Sequence, residues 1–258
     1  SMESTIEEEG IGTIYHLAAI LSATGESDPE LCHRVNVGGT VCVLEAARDL
    51  GLRVYAPSSI AVFGPDSPRI APQVTPLNPT TMYGKTKVTG EILAMNYWKQ
   101  YGVDVRGIRY PGLVSWKAPA GGGTTDYAVD IFRSAIEDGH YECFVREDTK
   151  LPMMYMDDAI RGTMSLMEAP SENLGPSRAG YNLGGMSFTA GELADAISER
   201  VPGFTCDFAP DVRQEYADSW PDDVDDSTAR DEWGWEPEYD LGKMVDEMLE
   251  MLRPTQSS

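Results

Sequence analysis

An α/β fold built on a doubly wound, mostly parallel sheet is the fold class this 258-residue sequence predicts. Three observations point there. Short β-rich apolar runs alternate with long segments whose apolar residues recur at helical spacing. Two of those helical segments stop at glycines, Gly51 and Gly102, where a left-handed helix end is sterically free. After about residue 115 the pattern changes to shorter, mixed elements. The chain is therefore divided at that point into a sheet domain, 1–115, and a small mixed α/β lobe, 116–258, from which some elements return to the sheet.

In order, the run IGTIYHLA at 11–18 reads as a buried strand and 33–50 as a helix. LRVYAPSS at 52–59 is a second strand, 83–101 a second helix, and DVRGIRYPGLV at 104–114 a third strand. Strand, helix, strand, helix, strand implies parallel pairing through right-handed crossovers. In the second part 124–138 reads as a helix, 141–145 and 151–155 as strands, and 156–167 as a helix. A strand at 181–183 precedes a helix at 189–201, which Thr189 and Glu192 open with a capping-box pattern. A strand at 204–208 and helices at 227–233 and 241–252 complete the reading.

Composition excludes several function classes. Hydrophobic residues make up 41% of the chain, enough for a real core, and no apolar run approaches the ~20 residues of a membrane span. The net charge of −22 argues against nucleic acid and anionic membranes as partners, because both need a basic surface. The same excess suits an ordinary acidic protein and a protein adapted to high salt equally well. Cysteines 32, 42, 143 and 206 show no paired spacing, which fits free thiols in a reducing compartment. A cytoplasmic location is expected, or a mitochondrial one in a eukaryote. His16, His33 and His140 have no metal-ligand spacing, so no metal site is expected.

The chemistry is carried by TTMYGKTK. Tyr83 and Lys87 lie one helical turn apart on one face. An ammonium beside a phenol favours the phenolate, so the pair can take a proton from an alcohol. Alone, the spacing also suits a solvated helix face with one packed ring. Ser58 and Ser59 end the second strand, and in a doubly wound sheet ligands gather at the carboxyl ends of strands. Either hydroxyl there could orient a substrate oxygen, or the pair could simply form a turn after Pro57. HLAA at 16–19 ends the first strand with small side chains that let a ligand, or only a packed helix, approach the backbone.

Together HLAA, VNVGGTVCVLEAA, PSSIAVFG, YGKTK and RYPGLV resemble the extended short-chain dehydrogenase/reductase family. Within it, HLAAILSATGE, RYPGLVSW, GGGTTDYAVDIF, DTKLPMMYMDDAIR and ADSWPDDVDDSTARDEWGW look like the L-threonine 3-dehydrogenase branch, over about 11–252. The resemblance implies a Rossmann-like sheet, NAD as cofactor and oxidation of L-threonine to 2-amino-3-ketobutyrate. It makes Tyr83 the general base, with Lys87 lowering its pKa and holding the nicotinamide ribose, and Ser59 binding the reacting hydroxyl. It places Leu17, Ala18 and Ala19 along the cofactor, Leu113 at its nicotinamide end and Asn36 as support from the neighbouring helix. Ser22, Thr124 and, as a second serine, Ser58 would serve the substrate, with Trp220 closing over it or anchoring the core. A homodimer is implied, burying helices that include 83–101.

One part of the family pattern is absent. Its members open with a strand, a G-x-x-G-x-x-G loop and a helix, whose bare amides hold a pyrophosphate. No such loop occurs in this sequence, and IEEEGIGTIYHLAA at 6–19 resembles the run into the family's fourth strand. By that analogy the sheet is incomplete, lacking three strands and most of the adenosine half-site. Two other functions stay open: a nucleotide-sugar epimerase or dehydratase of the same superfamily, and a non-catalytic remnant. The first would need cations in the lobe for a diphosphate, where Arg146, Arg161, Arg178, Arg200, Arg213 and Arg230 are scattered among acids.

Overall fold

The structure, a computed structural model, describes residues 2–253. A helix α1 (Met2–Glu9) leads into strand β1 (Thr13–Tyr15). Helices α2 (Ser22–Ser27) and α3 (Pro29–His33) follow, and a π turn at 34–38 carries α3 into α4 (Gly39–Leu50). Next come β2 (Arg53–Tyr55), β3 (Ser58–Ser59), a 3-10 turn (Ile60–Val62), β4 (Ile70–Ala71) and the long α5 (Met82–Tyr101). The strands β5 (Val105–Arg106), β6 (Ile108–Tyr110) and β7 (Gly112–Val114) are successive pieces of one extended segment. The second part contains α6 (Tyr127–Glu137), β8 (His140–Cys143), β9 (Lys150–Tyr155), α7 (Met156–Glu168), β10 (Tyr181–Asn182) and β11 (Met186–Thr189). It ends with α8 (Ala190–Ser198), β12 (Thr205–Phe208), α9 (Arg213–Asp218), β13 (Asp223–Val224), α10 (Ser227–Trp233) and α11 (Leu241–Leu252).

The 105–114 segment is the spine of the sheet. β5 pairs with β2, which pairs with β1; β6 lies between β3 and β10; β7 pairs with β9. All of these pairs are parallel, and only β9 with β11 is antiparallel. Helices cover both faces, as a doubly wound sheet requires. On one face Val43, Leu44 and Ala47 of α4 and Ala94 of α5 pack on Val54 and Val105. On the other, Ala159 and Leu166 of α7 and Trp235 pack on Tyr55, Ile108 and Tyr181. A separate core of α6, α8 and α11 against β9, with Phe132, Leu193 and Met248 at its heart, builds the lobe.

The expected strand at 104–114 is broken at Gly107 and again at Pro111. A side chain at Gly107 would put its Cβ 2.5 Å from the carbonyl oxygens of both Ala56 and Ala179. Glycine lets three backbones converge, and the segment changes partners at that point. The glycine stops are as expected: Gly51 and Gly102 close α4 and α5 with φ of 68° and 72°. The capping box of α8 is also present, with Glu192 N donating to Thr189 Oγ1 and Thr189 N donating to Glu192 Oε2. The elements α1, α2, α9, β4, β11 and β13 have no counterpart in the sequence reading. They are short, and most take their shape from tertiary pairing rather than from periodicity.

Arg106 is fully buried. Its guanidinium donates to Asp104 and to the carbonyls of Leu166, Met167 and Ala169 at the C-terminal end of α7. One cation thereby satisfies carbonyls that a helix end leaves open and ties α7 to the sheet. Arg106→Ala should lower unfolding stability by about 1–3 kcal/mol, because it leaves the buried carbonyls of Leu166 and Ala169 without their donor, while Asp104 keeps Arg53 and Arg178. Urea denaturation checks this, and a loss below about 1 kcal/mol would show that water replaces the guanidinium.

Candidate active site

The site is assembled where α5 crosses the carboxyl ends of β2 and β3. Thr81 caps α5 by accepting from Gly84 N, and the Glu26 carboxylate of α2 accepts from Met82 N. Gly84 then lies against the 3-10 turn: a Cβ there would sit 2.2 Å from Ala61 O and 2.6 Å from Pro79 Cβ. Only glycine lets the helix come this close. The contact brings the first turn of α5 over the end of β3, so the Ser59 hydroxyl faces the Tyr83 phenol. Ser59 Oγ also accepts from Ala61 N at 3.2 Å, which fixes its rotamer.

Lys87 follows one turn later, its Nζ 5.6 Å from the Tyr83 ring centroid. That ammonium donates to Pro57 O at 2.8 Å. Burial of the phenol pushes the Tyr83 pKa up to about 12, and the Ser59 hydroxyl only partly opposes this. The fall expected from the nearby ammonium is therefore not seen in this arrangement: dehydration outweighs it, and Lys87 is spent on a carbonyl. Burial also pulls Lys87 down to about 8, against the pull of Glu91. Both groups are driven toward their neutral forms, as dehydration demands.

The supporting residues have defined places. Asn36 clamps the loop after β1, accepting from Ile20 N at 2.7 Å and donating to Ile20 O at 3.0 Å. It also donates to Thr86 Oγ1, and Thr86 donates to Tyr83 O, so Asn36 braces the turn that carries the tyrosine. Ala18, Ala19, Asn36, Lys87 and His16 line a water-sized cavity of about 30 Å³. Leu17 is 68% exposed beside them. Ser58, in contrast, is buried and donates to Glu91 Oε1 at 2.6 Å. Of the two serines, only Ser59 turns its hydroxyl toward Tyr83.

The remaining candidates do not hydrogen-bond this group. Ser22 opens α2, which packs over α5; a Cβ on Gly25 of α2 would lie 3.8 Å from that of Tyr83. Leu113 is half-buried on β7. Thr124 is buried just ahead of α6. Trp220 is half-buried and packs on the lobe core and on the cluster of Ile60, Val62 and Phe63 that follows Ser59. It anchors both cores at once. Among the described residues no cluster of three or more His, Cys, Asp and Glu side chains could hold a metal ion.

The sequence reading missed the second layer. Glu91 takes both Arg109 Nε at 2.9 Å and Arg109 Nη2 at 2.7 Å in a buried ion pair directly behind Ser58. Its signal was present: Glu91 continues the Tyr83–Lys87 face by one more turn. Cys32, from α3, also borders this face, where its Sγ accepts from Asn36 Nδ2.

Known proteins share this fold. An L-threonine 3-dehydrogenase from a metagenome, described as monomeric, superimposes with a TM-score of 0.94 at 54% identity, over 98% of this chain and 82% of that one. A GalE-like L-threonine dehydrogenase from Cupriavidus necator gives 0.95 at 52% identity with the same coverage. An uncharacterized epimerase/dehydratase from Staphylococcus aureus is 49% identical over 242 residues, 93% of this chain and 75% of that protein. The model of the NAD dependent epimerase/dehydratase family matches residues 1–184. With a sheet wound on both faces, a tyrosine and lysine at the ends of its strands and this match over more than half its length, the chain belongs to the NAD dependent epimerase/dehydratase family.

Proposed function

We propose that this chain oxidises the side-chain alcohol of L-threonine to 2-amino-3-ketobutyrate with NAD. The observation that carries the reading is the Ser59–Tyr83–Lys87 group at the strand ends, in a chain about half identical to L-threonine dehydrogenases. The nicotinamide ribose end of the cofactor fits this group. Lys87 lies by the carboxyl ends of β2 and β3, and the small side chains of Ala18 and Ala19 line the cavity beside it. Bound NAD supplies the hydride acceptor for the carbinol carbon.

The chain's own residues then handle the proton. Ser59 holds the substrate oxygen, and Tyr83 takes its hydroxyl proton once the phenol is ionised. Tyr83 stands in the first turn of α5, where the amide ends of the helix also favour negative charge. Lys87 supplies the positive charge that a buried phenolate needs.

The charges of the lobe favour an amino acid over a nucleotide sugar. Each of Arg146, Arg161, Arg200, Arg213 and Arg230 forms an ion pair with a carboxylate close by in the lobe, and Arg178 with Asp104. Arginines so engaged are poor ligands for a diphosphate.

NAD reduction by this chain with L-threonine, at low and at molar salt, tests the reading, and turnover of a UDP-sugar instead would overturn it. Tyr83→Phe should reduce kcat by about 10²-fold or more while leaving NAD binding within a few fold. Equal turnover in the variant would remove Tyr83 from the mechanism.

The pH dependence follows from the two shifts. The working form needs Tyr83 ionised, which its raised pKa of about 12 opposes, and Lys87 charged, which fails above about 8. Below pH 8 Lys87 is already charged, so each pH unit gained increases the phenolate about tenfold. Above it, gain of phenolate and loss of ammonium cancel. The rate at low NAD and threonine should therefore climb to about pH 8 and level off. A rate independent of pH between 6 and 8 would show that Tyr83 is already ionised there.

We further propose a homodimer joined along α5. Ile92 on this helix is 56% exposed, and Val74 beside it is 91% exposed. An apolar pair of this kind is a candidate contact. Sedimentation should give twice the chain mass, and Ile92→Asp should return it to one; a monomeric wild type would refute the pairing.

A further inference from the structure

Tyr83, Lys87 and Glu91 recur every four residues on one face of α5, so Glu91 lies one turn beyond the ammonium, a rise of about 6 Å. Its carboxylate is buried and its contacts are fixed. Ser58 Oγ and Arg109 Nε donate to Oε1, and Arg109 Nη2 donates to Oε2. The fold reserves room for it: a Cβ on Gly180 would come within 2.6 Å of the Glu91 carboxylate.

The pair is oriented. Glu91 lines the water-sized cavity that Lys87 also lines, together with Ser58, Asn36, Thr40 and His16. Arg109 does not reach that cavity. Its guanidinium points away, to Gln73 O, to Asn182 Oδ1 and to the face of the Phe63 ring 5.6 Å off. Lys87 thus meets the negative end of the ion pair, while the positive end is turned away from the cavity, toward Gln73, Asn182 and Phe63. In so dry a setting the nearer charge dominates.

We propose that Glu91 is a positioning residue for this site, whose carboxylate, held by Arg109, keeps the Lys87 ammonium charged. The charged groups facing Lys87 are few. From α5 itself come Tyr83 and Glu91; His16 faces it from the loop after β1, Cys32 from α3, and Arg109 stands behind Glu91. Burial, then Lys87 itself, lowers His16, which keeps the imidazole neutral and leaves the carboxylate as the nearby counter-charge. The importance of a charged Lys87 for turnover rests on the function proposed above; the electrostatic assignment does not.

The test is a titration of Lys87 in protein labelled with ¹³C at lysine Cε. The chain has only six lysines, and loss of one signal in Lys87→Gln assigns the right one. In the wild type that signal should titrate near pH 8. In E91Q the midpoint should fall by about one pH unit or more, because the carboxylate is gone and the Arg109 cation remains. E91D should fall less. The double variant E91Q/R109M, which replaces the pair with two neutral side chains, should also fall, but less than E91Q. An unchanged or raised midpoint in folded E91Q overturns the proposal. If E91Q does not fold, the double variant decides, and an unmoved Lys87 there overturns it equally. The titration uses neither NAD nor threonine. A chain without threonine turnover but with the shifted midpoint would sink the enzyme reading and leave Glu91's role standing, and the converse result would do the reverse.

Discussion

Everything at the candidate site depends on how closely α5 lies against the ends of β2 and β3. Two contacts set that distance. At the start of the helix Gly84 presses on Ala61 O, where any side chain would collide. Two turns on, the buried Glu91–Arg109 pair fastens the helix to β6. A buried ion pair is weak evidence for stability, because dehydrating two charges costs about what their attraction returns. Its value here is geometric. Glu91 accepts from Ser58 as well, so one carboxylate fixes the helix, the strand end and the rotamer of the serine. Ser59, the next residue, is left with its hydroxyl facing Tyr83.

The same economy governs charge in the rest of the molecule. A net charge of −22 means that cations are scarce, and the structure spends them locally. Arg106 closes the C-terminal end of α7 with Asp104, and Arg161 shares Asp158 with the backbone amides of Glu238 and Tyr239. Exposed pairs such as Arg213 with Asp211 add little individually and weaken further in salt. The unpaired acids repel one another across the surface, and salt screens that repulsion. An acidic chain built this way gains in compactness where a balanced one would lose surface pairs.

Much of the fold was legible because its punctuation is local. Gly51, Gly102 and the Thr189–Glu192 box mark helix ends by sterics and by single hydrogen bonds, which sequence states directly. Periodicity placed α4, α5, α7 and α11 for the same reason. The break at Gly107 was not legible, since it is set by Ala56 and Ala179, distant in sequence. The site divides along the same line. Tyr83 and Lys87 announce themselves by spacing within one helix. The choice between Ser58 and Ser59 could not be read, because it depends on Glu91 from another element. The direction of the Tyr83 shift was misjudged for a related cause: spacing shows that an ammonium is near but not how dry the pocket is, and dryness decides.

That dryness gives the site its logic. Burial pushes Tyr83 up to about 12 and Lys87 down to about 8, so near neutral pH the phenol keeps its proton beside a charged ammonium. Such a pair answers strongly to any charge brought close, because little water is left to screen it. A positive charge arriving beside the phenol lowers its pKa; a negative one beside the ammonium steadies the ammonium. Glu91 already supplies the second influence from within the chain. The first must come with the ligands. Without such a charge the phenol stays protonated, as its raised pKa dictates.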